Sequence, residues 1–141
     1  MTDLETATKM LAGHTLALCK AGEVVTSDLK GISPMLSLLG EGRDLSGFSA
    51  ADLVVGKAAA MLFVKANVKA VFAKTLSLAG RDYLDQHGIP VTFETLTERI
   101  MNREQTDVCP MERAVADTDD VDEGCRILQI TLNEVRRKSK P

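Results

Sequence analysis

The sequence predicts a three-layer α/β sandwich. One mixed sheet carries an N-terminal antiparallel hairpin and a parallel βαβ unit, with helices on both faces. Three observations predict it. Extended, β-branched stretches flank Ala21-Gly22, which marks a hairpin. The stretch from Val68 to Glu94 reads strand, helix, strand with short joins, a pattern that closes as a right-handed parallel crossover. Apolar residues recur at helical spacing near both ends: Leu4, Ala7 and Leu11, then Val121, Cys125, Leu128, Leu132 and Val135.

Each element has a local reason. Thr2 and Glu5 form a capping box for a helix over about Asp3 to Ala12. The hairpin runs from Thr15 to Cys19 and returns over Glu23 to Thr26. Ser33 caps a short helix with Pro34 at its first position and Gly40 at its end. The polar segment Asp44 to Ser49 reads as a loop, followed by an alanine-rich helix from Ala51 or Gly56 to Ala66. Val68 to Lys74 is a strand, Ser77 caps a helix that stops at Gly88, and Ile89 to Glu94 is a strand. Pro110 opens a helix to about Ala116, and an amphipathic helix closes the chain over about 120–138, its Arg136-Arg137-Lys138 end suiting the helix dipole. No repeat or low-complexity linker divides the chain, so residues 1–141 are expected to form one domain.

Composition excludes several function classes. Apolar residues are 45% and charged residues 26% of the 141, an ordinary globular balance. The net charge of −3 and the lack of tryptophan argue against nucleic acid, which calls for phosphate neutralisation and stacking platforms. The longest apolar run, Ala58 to Val64, is far too short to span a membrane, and the N-terminus does not read as a signal peptide. Cys19, Cys109 and Cys125 are odd in number and widely spaced, which fits a cytoplasmic protein with reduced thiols.

A zinc site needs three or four His, Cys or carboxylate ligands brought together. His14 and His87 are remote from each other, neither opens a His-x-Glu, and no Cys-x-x-Cys occurs, so no metal and no cofactor is expected. Both histidines are read as structural.

Two segments carry candidate chemistry. In Thr106-Asp107-Val108-Cys109-Pro110-Met111-Glu112, Pro110 at the first helical position puts Cys109 at the N-cap, where free N–H groups favour a thiolate. Cys109 is then either a nucleophile or a small thiol at a packed turn, and Glu112 either a proton carrier or a carboxylate favoured by the dipole. In Asp52-Leu53-Val54-Val55-Gly56-Lys57-Ala58-Ala59-Ala60, Gly56 permits close backbone approach and Lys57 sets a cation at a helix start. The pair either binds a phosphate or carboxylate, or serves packing and solvation. Lys57 is the only charge from Leu53 to Val64, which favours a partner for it. Arg103 is a candidate bidentate anion contact on the polar approach to Cys109, with Thr106 beside it.

The segments DLVVGKAAAML and NREQTDVCPMERAV resemble an uncharacterised bacterial and archaeal family, the domain of unknown function 1893, which has a cytidine-deaminase-like fold. The resemblance runs from the hairpin through Val115. On the deaminase plan it implies that Lys57 stands where the first metal ligand would be, and Ala59 where the proton-shuttling Glu would be. It also implies that Cys109 and Glu112 keep the Cys-x-x-Cys spacing at the next helix start, with the second cysteine replaced.

Two functions from different classes follow. The favoured one is a zinc-free binding module holding an anionic, nucleotide-like small molecule between two helix N-termini, through Gly56, Lys57, Arg103 and Thr106. The other is a metal-independent enzyme with Cys109 as nucleophile and Glu112 handling protons. The last helix packs either on its own sheet or on a second copy, which leaves a homo-oligomer open.

Overall fold

The capping box predicted at the N-terminus is present. The Thr2 hydroxyl accepts from the Glu5 N–H, and the Glu5 carboxylate accepts from the Thr2 N–H, both at 3.0 Å, to start α1 (Asp3–Met10). The computed structural model describes residues 1–102 and 104–139. The hairpin follows as β1 (Leu16–Lys20) and β2 (Glu23–Ser27). Its two turn residues, Ala21 at φ 49° and Gly22 at φ 88°, are both left-handed, as a tight hairpin turn demands. Asp3 of α1 accepts from the Ala21 N–H and so ties the turn to the helix.

Helix α2 (Ser33–Gly40) has Pro34 in its first turn as expected, but Ser33 is not its cap; Ile32 holds that position without a side-chain bond. The larger correction is β3 (Ser49–Val55). The sequence suggested a loop ending at Ser49 and allowed a helix from Ala51, whereas this stretch is a strand between β1 and the next parallel strand. A strand buried on both faces reads as a continuous apolar run, and periodicity does not separate it from a buried helix. Helix α3 (Lys57–Ala66) starts only after Gly56 and ends at Asn67, in the left-handed conformation at φ 59°.

The crossover unit is β4 (Ala70–Ser77), α4 (Leu78–Gln86) and β5 (Val91–Thr97), its strands displaced two or three residues from the positions read in the sequence. Ser77 caps α4 by accepting from the Gly80 N–H at 3.0 Å. Helix α5 (Pro110–Val115) and the long α6 (Val121–Ser139) complete the chain. Asp120 opens α6 by accepting from the Glu123 N–H.

The sheet order is β2-β1-β3-β4-β5. β1 is antiparallel to β2 and β3, while β3, β4 and β5 are mutually parallel. This is the mixed sheet of a three-layer sandwich that the sequence predicts. On one face, Ala7 and Leu11 of α1 pack on Ala17, Cys19 and Ala51. On the other, the wholly buried Met61, Leu62 and Phe63 of α3 join Leu16, Leu18, Val71, Leu76 and Leu84 in the main core. Helix α6 packs chiefly on α3 and α5 of its own chain. A β-carbon on Gly124 would sit 2.4 Å from the Met61 methyl, so glycine lets α6 close onto α3. Among the described residues, no helix is long and apolar enough to cross a membrane.

Asp52 is the one buried acid within the sheet. Its neighbours across the ladders are Leu16 and Ala73, and its carboxylate accepts from the Leu53 N–H at 2.8 Å. Burial pushes its carboxyl up from 3.8 to about 7, against the pull of the Leu53 and Val54 N–H groups. The fold therefore keeps a proton that the unfolded chain loses. This group's contribution to stability falls as pH rises from 3.8 to about 7 and is level above. Asp52→Asn should be more stable than the parent at pH 8, by on the order of a few kcal/mol in unfolding free energy and so with a higher melting temperature, and the gap should close towards pH 4. Paired melts across that range check it.

Candidate functional site

Parallel strands end on one side of a sheet, and open α/β sheets place their ligands outside those carboxyl ends. Here that side gathers the start of α3 after β3, the start of α4 after β4, and residues 98–100 after β5. α4 packs directly on the β3–α3 junction. A β-carbon on Gly80 would lie 2.9 Å from the Val55 carbonyl oxygen and 3.0 Å from the Gly56 carbonyl carbon, so only glycine fits.

The start of α3 has no side-chain cap of its own, because its N-cap is Gly56. Its first N–H groups are answered from another element. Glu112 of α5 accepts from the Lys57 N–H at 2.8 Å and from the Ala58 N–H at 3.0 Å, one with each carboxylate oxygen. The carboxylate lies so close that a β-carbon on Gly56 would fall 2.2 Å from Glu112 Oε1. Lys57 makes the return contact. Its Nζ donates to the Ala116 carbonyl at 3.1 Å, just beyond α5, and pairs with Asp119 at 3.0 Å. The Lys57 side chain is only 12% exposed, but that of Asp119 is 85% exposed, so the ion pair itself stays open to solvent on the Asp119 side. Burial pushes the Glu112 carboxyl up, while the Ala58 and Lys57 N–H groups and the Lys57 charge pull it down.

Beside this contact lies a cleft of about 520 Å³. Lys57 and Glu112 form its floor towards α3, and Ser77, Ala79, Tyr83 and Gln86 are its α4 wall. Arg99, Ile100, Val108 and Arg113 face them from the segment after β5 and from α5. The Tyr83 hydroxyl donates to the Asp119 carbonyl at 2.8 Å, and its ring packs on His87 with centroids 4.4 Å apart. Burial and the nearby Asp119 push that hydroxyl up to about 12, so it stays a donor. Arg113 pairs with Asp107. Arg99 is exposed and makes no ion pair among the described residues.

The residues singled out from the sequence thus separate. Gly56, Lys57 and Glu112 come together at one contact. Cys109 is the N-cap of α5, half-buried against the main core, and does not line the cleft; its N–H donates to the Ile100 carbonyl at 2.9 Å. Thr106 is used inside its own loop, where its N–H and hydroxyl meet the Asn102 side chain at 3.0 and 3.1 Å. Arg103 lies outside the described residues. The helix that follows α3 is α4, so Cys109 opens the second helix after α3 and not the next one. His14 bonds Asp28 at 2.7 Å, far along the chain from the cleft residues. Among the described residues, no three His, Cys, Asp or Glu side chains gather as metal ligands. At the start of α3 the residues do not fit zinc, since a lysine stands there and both oxygens of Glu112 are held by backbone N–H groups.

Sequence reasoning missed Ser77, Tyr83, Arg99 and Arg113 as cleft residues. A signal did exist for Ser77 and Arg99: both stand at the carboxyl ends of strands in the crossover unit, where the parallel-sheet rule looks first. Tyr83 and Arg113 come from helix faces whose direction the sequence alone does not give.

Residues 6–132 match the family described as "TM1506: Domain of unknown function (DUF1893)". Among solved structures, the chain is similar to a DUF1893 family protein (TM1506) from Thermotoga maritima. That pair is 23% identical with a TM-score of 0.82, over 95% of this chain and 91% of the other. It is also similar to the apo form of dCMP deaminase from the cyanophage S-TIM5, 14% identical with a TM-score of 0.48, over 63% of this chain and 94% of that one. None of the curated proteins matches the chain.

The contact between α3 and α5 makes a double-mutant test. Gly56→Ala forces the Glu112 carboxylate off the α3 N–H groups and should cost about 1–3 kcal/mol, the price of leaving them unanswered. In a Glu112→Ala background the same substitution should cost much less, because the obstructing carboxylate is gone. Equal costs in both backgrounds, measured by urea unfolding, would refute the account.

Proposed function

The chain belongs to the DUF1893 family, and we propose that it is a binding module for an anionic, nucleotide-like small molecule, held without a metal in the cleft outside β3, β4 and β5. One observation carries this reading. A cleft of about 520 Å³, inside the usual range for small-molecule sites, lies at the carboxyl ends of parallel strands, lined by Lys57, Arg99 and Arg113 together with the acids Asp82, Glu98, Glu112 and Asp119.

The seat for an anion at the start of α3 is already taken by Glu112. The anionic group of a ligand is therefore assigned to the opposite wall. There Arg99 is the cation without an ion-pair partner among the described residues, and its planar fork suits a phosphate or carboxylate. The apolar Ala79, Tyr83, Ile100 and Val108 offer room for a flat ring, and Ser77 and Gln86 can hydrogen-bond its edge. Cys109 does not line this cleft, and no observation favours the reading of it as a nucleophile. The same reading places the protein in the cytoplasm, where Cys19, Cys109 and Cys125 stay reduced.

Thermal-shift titration with mononucleotides and sugar phosphates tests it. At least one should raise the melting temperature in a saturable way, equivalent to roughly 2.7 kcal/mol at a hundred times its Kd. Arg99→Ala should weaken that ligand about tenfold and leave the melting of the free protein unchanged. If no such compound shifts the melt, or if Arg99→Ala leaves the shift intact, the reading fails.

A further inference from the structure

Strand β5 ends the sheet, and its outer edge has no partner strand among the described residues. The Pro90 carbonyl accepts from the Val71 N–H, so even-numbered residues turn their peptide groups towards β4. The N–H and C=O groups of Val91, Phe93 and Thr95 therefore point outwards. Residues 92–96 are all exposed, including Phe93 at 41% and Leu96 at 37%. Side chains alternate along a strand, so these two apolar groups lie on opposite faces of it.

Natural edges are usually kept from pairing by lysine, proline, a bulge or a covering helix. Between Val91 and Thr97 there is no Lys, Arg or Pro. The register with β4 holds a constant offset from Val71↔Val91 to Ser77↔Thr97, so no bulge twists the edge away. The sequence Val-Thr-Phe-Glu-Thr-Leu-Thr is rich in β-branched and aromatic residues with a single charge, Glu94. The opposite edge is guarded differently: β2 is shorter and carries Glu23 in an ion pair with Arg43.

We infer that the chain self-associates by pairing β5 antiparallel with β5 of a second copy, about a two-fold axis at Phe93. That register joins the outward peptide groups of Val91, Phe93 and Thr95 to those of the partner's Thr95, the partner's Phe93 and the partner's Val91. It sets the two Phe93 rings together and places each Glu94 opposite the partner's Thr92. An axis at Glu94 would instead set two carboxylates face to face, which costs stability. The charge pattern thus makes the strand complementary to itself in a register that also covers its exposed aromatic residue. A two-fold contact closes on itself and uses up both β5 edges, leaving only the β2 edges at the two ends of the joined sheet. A strand pair of this length covers less than the roughly 800 Å² per partner of a standard interface, so the dimer should dissociate in the micromolar range.

Sedimentation equilibrium of the full chain from about 1 μM to 1 mM tests this, since that range brackets such a dimer. A reversible monomer–dimer equilibrium is expected. Thr95→Pro removes an outward N–H without touching the bonds to β4, and Phe93→Lys sets like charges across the axis. Each should weaken the dimer at least tenfold with the circular-dichroism spectrum unchanged. Should Thr95→Pro fail to fold, Phe93→Lys alone decides, because its side chain is exposed. Val24→Lys on β2 should leave the dimer intact. A monomer throughout the range, a dimer that Phe93→Lys does not weaken, or one that Val24→Lys weakens as much, overturns the inference.

Discussion

The bond between the Glu112 carboxylate and the first two N–H groups of α3 fixes the arrangement around the cleft. An uncapped helix start is costly when it is shielded from water, and Gly56 offers it no side-chain oxygen. Help has to come from another element, and it comes from α5. The exchange runs both ways, since Lys57 reaches back to the Ala116 carbonyl just beyond that helix. Each helix end thus receives the charge its dipole favours. The absence of a side chain at Gly56 is part of the same contact, because a methyl group there would occupy the space of the carboxylate.

Several other features follow from that contact. It draws α5 over the carboxyl ends of β3, β4 and β5 and brings Arg113 and Val108 in to face α4. Gly80 allows α4 to close on the same junction from the other side. The cleft is the space left between these two close approaches. It also follows that the helix start best suited to an outside anion is occupied from within, by Glu112. The core does not share this polarity. Its one buried acid in the sheet, Asp52, lies between apolar neighbours and holds its proton to about pH 7.

Much of the fold is legible in local chemistry. Thr2 with Glu5, Ala21-Gly22, Ser77, Gly88 and Pro110 each set a chain conformation by their own backbone preference or short side chain, and each stands at the element end it signals. β3 was the part that local chemistry did not settle. Ala50, Ala51, Leu53, Val54 and Val55 are compatible with a helix or a buried strand, and only pairing to β1 on one side and β4 on the other decides between them.

The site divides along the same line. Lys57 stands out in the sequence because a lone charge in an apolar run is unusual, while Gly56 before a helix and Glu112 in a first turn fit the ordinary preferences of helix starts. Which group they serve was not written there. The sequence by itself determined the elements other than β3, the parallel unit and this set of residues, since those depend on neighbours a few positions away. The tertiary structure decided that Glu112 answers α3, more than fifty residues earlier in the chain, that Cys109 stands off the cleft, and that Tyr83 and Arg99 line it. Those facts depend on how helices from separate parts of the chain close over one end of the sheet, and that geometry is fixed by packing rather than by sequence spacing.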